Sequence, residues 1–264
     1  MSSVPVLLYH HVAPDREVTP AGFARQLDWL KANGYRTLSA AELHGHLAGT
    51  APVLDKAVVL TFDDGYADNW VYAYPLLKAR GMRAHLFVIT QRIGDGAPRP
   101  TAPEGGELRD TVSAERGPAG FLTWAELSRM SGEDVFDVGS HTATHREFAR
   151  ERPYEDLSGE LRSSRAAIER NLGRWPGTLA WPWGDFEEAW LELLPGLGYR
   201  IAFTVAPGAN PAGAGGLRVR RFKVRKDDVS WLARRVALYR SKRLSAAYGA
   251  LYGLDCKLKQ AFKA

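Results

Sequence analysis

Val58-Val59-Leu60-Thr61-Phe62-Asp63-Asp64-Gly65-Tyr66 sets the reading of the whole 264-residue chain. It starts as a short apolar, β-branched run, which predicts a buried strand. It then stops on two adjacent carboxylates and a glycine. Neighbouring carboxylates repel, and one of them is usually neutralised by a proton or a metal ion. Gly65 lets the backbone turn sharply and approach a ligand closely. Taken alone, Asp-Asp-Gly is more often an aspartate-capped turn than a site. A second stretch, His141-Thr142-Ala143-Thr144-His145, changes that balance.

Towards the N-terminus, Val4 to Tyr9 reads as a buried strand that delivers His10 and His11 to its C-terminal end. Thr19-Pro20 opens a helix with proline at a tolerated first-turn position, and Asn33-Gly34 stops it. Phe23, Leu27 and Leu30 recur inside it at helical spacing. Tyr35 to Leu38 is a short strand, and Ser39 with Glu42 forms a capping box for the next helix. Towards the C-terminus, a helix is predicted from Asn69 to Arg80 and a buried strand from Ala84 to Ile89. Residues 94–120 lack apolar periodicity and predict a long surface loop. Thr123 and Glu126 form a second capping box. Phe136 to Ser140 is a strand ending just before the histidine pair. A helix from Tyr154 to Leu172, a strand from Thr178 to Trp181, a helix from Phe186 to Leu194 and a strand from Ile201 to Val205 follow. Strands alternating with helices at this pace predict an α/β protein of parallel βα units. Residues 1–226 read as one domain, and 227–264 as a basic helical C-terminal extension packed on it.

Hydrophobic residues make up 45% of the chain, which excludes a disordered protein. Eight Trp and ten Tyr suit sugar platforms, but they also fill cores. The single cysteine, Cys256, excludes an intramolecular disulfide. The N-terminal residues lack a basic segment followed by a long apolar one, so the expected location is the cytoplasm. The charge is uneven. Residues 218–264 hold 14 Lys/Arg and 3 Asp/Glu, whereas the rest holds 21 and 27. Trp231, Leu232, Val236 and Tyr239 fall near one helical face amid arginines, with Leu244, Tyr248, Leu251, Leu258 and Phe262 continuing the stripe. Such a helix either packs on the body with a solvated basic face or lies on the inner membrane surface. No base-stacking motif is interleaved with the charge, so no nucleic acid is expected.

His141 and His145, four apart, would share one face of a helical turn. With one carboxylate they make a two-His, one-carboxylate set suited to a first-row divalent ion. In a parallel βα architecture the strand C-termini converge on one face. That brings the Asp pair and the His pair together. It also explains why two adjacent aspartates are tolerated: one binds the ion, and the other is a base towards water.

Thr61-Phe62-Asp63-Asp64-Gly65-Tyr66 together with His141-Thr142-Ala143-Thr144-His145 resembles the polysaccharide deacetylase family, the NodB-homology or family 4 carbohydrate esterases. The resemblance runs from about Val4 to Arg221. It implies a distorted (β/α) barrel of about seven parallel strands and metal-dependent removal of an N-acetyl group from an amino sugar. It also implies Asp63 as general base, and Asp64, His141 and His145 as metal ligands, with Zn2+ expected and Co2+, Ni2+ or Fe2+ as alternatives. The substrate implied is an N-acetylated glycan or a lipid-linked precursor. The family's Arg-x-Pro-Tyr-Gly motif is here Ala180-Trp181-Pro182-Trp183-Gly184. The Trp183 backbone N–H takes the oxyanion-donor place, a role any residue but proline can fill. The motif arginine is missing, and Arg220, Arg221 and Lys223 are the candidates to replace it. For Trp181 and Trp183 a sugar-facing role and core packing are the two readings.

The family's late general-acid histidine is also missing, since no histidine follows His145. Leu7-Leu8-Tyr9-His10-His11 resembles the branch acting on poly-β-1,6-N-acetylglucosamine, in which an N-terminal Tyr-His supplies the acid. This makes His10 the expected proton donor, with a buried, backbone-satisfied imidazole as the alternative. His11 reads as an exposed loop residue, and His44, His46 and His85 as structural or exposed. The rivals are a catalytically silent glycan-binding protein on the same fold and a hydrolase of non-sugar amides.

Overall fold

The computed structural model describes residues 3–51, 55–102, 120–148 and 156–249. The predicted loop at 94–120 and the end of the basic stripe, Leu251, Leu258 and Phe262, therefore lie wholly or partly outside the described residues.

Eight strands follow the chain: β1 (Val6–Tyr9), β2 (Arg36–Thr37), β3 (Ala57–Phe62), β4 (Ala84–Val88), β5 (Phe136–Ser140), β6 (Thr178–Ala180), β7 (Ile201–Phe203) and β8 (Phe222–Lys223). All pair in parallel, in the order β7-β6-β5-β4-β3-β1-β8, with β2 beside β3. The sheet's two ends meet through the stretch leading into β8. Val219 N bonds Ala202 O, Thr204 N bonds Val219 O and Arg221 N bonds Ala206 O, while Val224 N bonds Leu8 O. The result is a distorted parallel barrel with helices around it. The rings of Phe87 on β4 and Phe203 on β7 come within 4.9 Å of each other, although these strands are not neighbours. They meet across the interior, in one cluster with Val6, Val59, Ala180, Ile201 and Val219.

The helices form where the caps predict them. Thr19 accepts from Gly22 N to start α1 (Pro20–Ala32). Both capping boxes are present, at α2 (Ala40–Ala48) and α4 (Trp124–Gly132). The helix expected from Asn69 to Arg80 departs from expectation. Its first turn, Asn69–Ala73, is a π-helix, and α3 (Tyr74–Ala79) follows. Pro75 has no N–H to give the Val71 carbonyl, and Ala102 N takes that carbonyl instead at 2.8 Å. α5 (Leu157–Leu172) stands after the histidine pair. The helix expected from Phe186 to Leu194 is two short pieces, α6 (Glu188–Leu191) and α7 (Leu193–Gly196).

α8 (Val229–Arg240) lies in the basic tail. It buries Leu232, Val236 and Tyr239 in the same cluster as Leu7, Phe23 and Phe222. Its N-cap Asp228 accepts from Trp231 N, and its neighbour Asp227 accepts from Thr19 N and Oγ1 at the start of α1. Leu244, further along the stripe, is exposed. No helix among the described residues is long and apolar enough to cross a membrane.

Candidate metal centre and active site

β3 ends at Phe62, and Asp63 N still bonds Tyr9 O at 3.1 Å. The chain then turns through two left-handed residues, Asp64 (φ 75°) and Gly65 (φ 82°). That turn sends the two carboxylates to different partners. Asp64 faces the imidazoles: its Oδ1 lies 3.4 Å from His141 Nε2 and 3.5 Å from His145 Nε2. The donor atoms of Asp64, His141 and His145 all lie within 4.8 Å of one another, close enough to share one ion.

The histidine pair is brought together differently from expectation. Residues 141–148 form a loop and not a helical turn. Thr142 and His145 both have φ 64°, which a helix cannot accommodate. Side chains replace the helical hydrogen bonds. Ser140 Oγ accepts from Thr142 N, and Thr142 Oγ1 accepts from His145 N. Glu160 on α5 accepts from Ala143 N, Thr144 N and Thr144 Oγ1, at 2.9–3.0 Å.

The donor set fits a first-row divalent ion. His141 Nδ1 lies 2.8 Å from Ala180 O, and donating its proton there leaves the Nε2 lone pair directed at Asp64. Burial lowers the His141 pKa, but the Asp64 hydrogen bond and the Asp63 and Asp64 charges raise it above the ordinary value. For His145, burial and the His141 charge push the imidazole down to about 4, so it is neutral near pH 7. Burial pushes Asp64 up, yet the hydrogen bond and charges from the histidines hold it well below the usual carboxylate range.

Asp63 is held by Arg221, one of the three replacements foreseen for the missing arginine. Arg221 Nη1 and Nη2 reach the two carboxylate oxygens at 2.7 and 2.9 Å. The guanidinium is fully buried, 5.7 Å over the rings of Phe87 and Phe203. Its Nε donates to Thr204 O at 2.8 Å, so backbone fixes its direction. Burial raises the Asp63 pKa, and the Arg221 charge with His141 and His10 more than offsets this, leaving a lowered value. Arg220 instead donates its backbone N–H to Asn210 Oδ1. Lys223 is exposed and lines the cavity by His10.

His10 is half-buried at the end of β1. Its Nδ1 is buried and meets no partner among the described residues, unlike the backbone-satisfied imidazole weighed as its alternative. Burial lowers its pKa, while the Asp63 and Asp64 charges pull it upward; those carboxylates are therefore its electrostatic neighbours. His46 and His85 are buried on backbone oxygens of Asn210 and Leu38.

The two tryptophans divide between the readings weighed for them. Trp181 is buried against Phe186 and Trp190. Trp183 is 61% exposed, with its ring centroid 5.3 Å from that of His145. It has φ 60°, and Gly184 after it has φ 78°. A Cβ at Gly184 would meet Val205 at 2.3 Å. Among the described residues, four of the six non-glycine positions with positive φ are Asp64, Thr142, His145 and Trp183. Backbone strain is thus concentrated here, as at many functional sites. Sequence spacing carried no sign of it, nor of the Glu160 clamp.

A family model described as polysaccharide deacetylase matches residues 50–202. YxkH of Bacillus subtilis (strain 168), which bears a provisional polysaccharide deacetylase name, is 28% identical over 225 residues, 84% of this chain and 72% of that protein. The poly-β-1,6-N-acetyl-D-glucosamine N-deacetylase of Escherichia coli (strain K12) is 26% identical over 224 residues. That match covers 72% of this chain but 31% of the relative, so the chain spans about a third of that protein's length. The solved structure of IcaB from Ammonifex degensii superposes with a TM-score of 0.74 at 26% identity, over 89% of this chain and 97% of that one.

Proposed function

The chain belongs to the polysaccharide deacetylase family, and on that premise we propose that it hydrolyses the N-acetyl group of an amino sugar in an N-acetylglucosamine glycan, releasing acetate and a free amine. The observation that carries the reading is one juxtaposition. A carboxylate clamped by a buried arginine stands next in the chain to a carboxylate that shares a three-donor cluster with two imidazoles.

Asp64, His141 and His145 would hold a divalent ion, with zinc the reading we favour. When bound, such an ion supplies Lewis acidity to the acetyl carbonyl and to the attacking water. Asp63 takes a proton from that water as its oxygen bonds to the acetyl carbon. The Arg221 fork keeps the carboxylate ionised and aimed, which suits a base that must not reorient during the reaction. The Trp183 N–H donates to the oxygen that gains charge as the carbon becomes tetrahedral. His10, protonated, donates to the leaving nitrogen as the C–N bond breaks. Burial lowers its pKa, while the Asp63 and Asp64 charges favour the protonated form from which it donates.

The test is acetate release from N-acetylglucosamine oligomers by the full chain supplied with zinc, cobalt, nickel or iron(II). Activity should vanish with a chelator and return with metal. Asp64→Ala should lose both bound metal and acetate release, and retained release in that variant would overturn the metal assignment. His10→Ala should lose acetate release while keeping its metal, and full activity there would overturn the acid assignment.

A further inference from the structure

Two imidazoles follow β1, and only His10 has a role in the proposed hydrolysis. His11 is not the loose surface residue that its position suggests. Its Nδ1 lies 2.5 Å from Oδ2 of Asp68, a buried carboxylate. One face of its ring stacks on Tyr66 with centroids 3.9 Å apart and planes at 23°. Tyr66 is itself backed by Phe121 at 5.3 Å. The side chain nonetheless keeps 27% of its surface open. It lines, with His10 and Lys223, a cavity of about 250 Å³. With Nδ1 committed to Asp68, Nε2 is the ring's remaining polar atom, and it has no partner among the described residues.

The pairing is more than a strap between β1 and the π-helix. That strap exists without the imidazole: Asp68 Oδ1 accepts from Val12 N at 3.4 Å, and Asn69 Nδ2 donates to His10 O at 3.0 Å. An imidazole is superfluous for that purpose. What the Asp68 contact adds is a fixed tautomer and a fixed ring direction, as a carboxylate does for any histidine it pairs with. The tyrosine face beneath removes the remaining rotation. The ring is therefore ordered before any ligand arrives, which lowers the entropy lost on binding.

The leaving group of an N-deacetylation is the sugar's own nitrogen. The proton donor must face that nitrogen, so the sugar ring must lie on the His10 side of the reacting carbon. His11 lines the same cavity as His10. We propose that His11, locked by Asp68, is a substrate-binding residue whose Nε2 hydrogen-bonds a hydroxyl of the amino sugar being deacetylated. This rests on the deacetylase reading of the site.

The experiment is steady-state acetate release from N-acetylglucosamine oligomers by the zinc-loaded full chain, with zinc content and melting temperature measured for each variant. His11→Ala should raise KM about tenfold, the worth of one lost hydrogen bond, with kcat within about threefold. His11→Gln, which keeps a hydrogen-bonding group at that place, should recover most of the loss. Asp68→Asn, which unlocks the ring, should fall between them. An unchanged KM in His11→Ala, or a loss confined to kcat, would overturn the proposal. A fall in zinc content or melting temperature that tracks the loss would assign the ring a structural role and overturn it equally. If the unsubstituted protein with metal releases no acetate from the oligomers, the deacetylase reading itself falls, and this proposal with it.

Discussion

Arg221 is the residue on which the proposed base depends. Removing it leaves the Asp63 carboxylate buried without a counter-charge, at a cost of about 3–5 kcal/mol. Arg221→Ala should therefore show both a lower melting temperature and no measurable acetate release. Arg221→Lys keeps the charge but loses the planar fork that meets both oxygens. It should stay folded, with kcat reduced about 100-fold, as expected when a reacting group is misaimed by a fraction of its reach. Wild-type kcat in the lysine variant would refute the aiming role. The need for a replacement arginine was legible in the chain, but its identity was not. Arg221 lies 158 positions from its partner. Consecutive residues of a strand point to opposite sides, so the choice between Arg220 and Arg221 depends on strand phase. β8 is two residues long, too short for a hydropathy pattern to reveal that phase. That Asp64, His141 and His145 come together was legible because their spacing within each motif is short and their residue types are few.

At the scale of elements, the strands and capped helices follow from local chemistry, and the departures occur where side chains replace backbone bonds. The histidine loop is the main instance. A spacing of four is compatible with a helical turn, and nothing in His-Thr-Ala-Thr-His reveals that Thr142 and His145 are left-handed. The loop is held from outside, by Glu160 on α5. Glu160→Ala should leave α5 folded and weaken divalent-ion affinity about 10–100-fold, the usual effect of losing a group that orients metal ligands. Competition against a chromogenic chelator measures this, and unchanged affinity would show that the loop holds its shape alone. The Trp183-Gly184 turn provides a second check. Trp183→Ala keeps the backbone N–H and should retain kcat within about tenfold, whereas Trp183→Pro, which has no N–H and cannot adopt φ 60°, should abolish turnover.

For the whole molecule, α8 belongs to the barrel's packing. Leu232, Val236 and Tyr239 are each at most 3% exposed. Burying a large apolar side chain contributes about 1.5–3 kcal/mol, so the three together are comparable with the entire stability of an ordinary domain. A chain ending at residue 226 should be insoluble or unfolded by circular dichroism, and Leu232→Ala alone should cost about 2–5 kcal/mol in urea unfolding. A soluble, cooperatively folding 1–226 fragment would show that α8 is dispensable. The parallel βα architecture was legible from the alternation of apolar runs with capped helices. The joining of the sheet's ends was not, since it rests on backbone bonds around Val219 and on a strand of two residues.

That joining has a bearing on how activity arises during synthesis. The stretch that seals the sheet is also the one that carries Arg221. A nascent chain emerged as far as residue 210 already has Asp63, Asp64, His141, His145, His10 and His11, yet nothing holds the Asp63 carboxylate. On the proposed mechanism, hydrolytic competence therefore comes with the last strand rather than building up motif by motif.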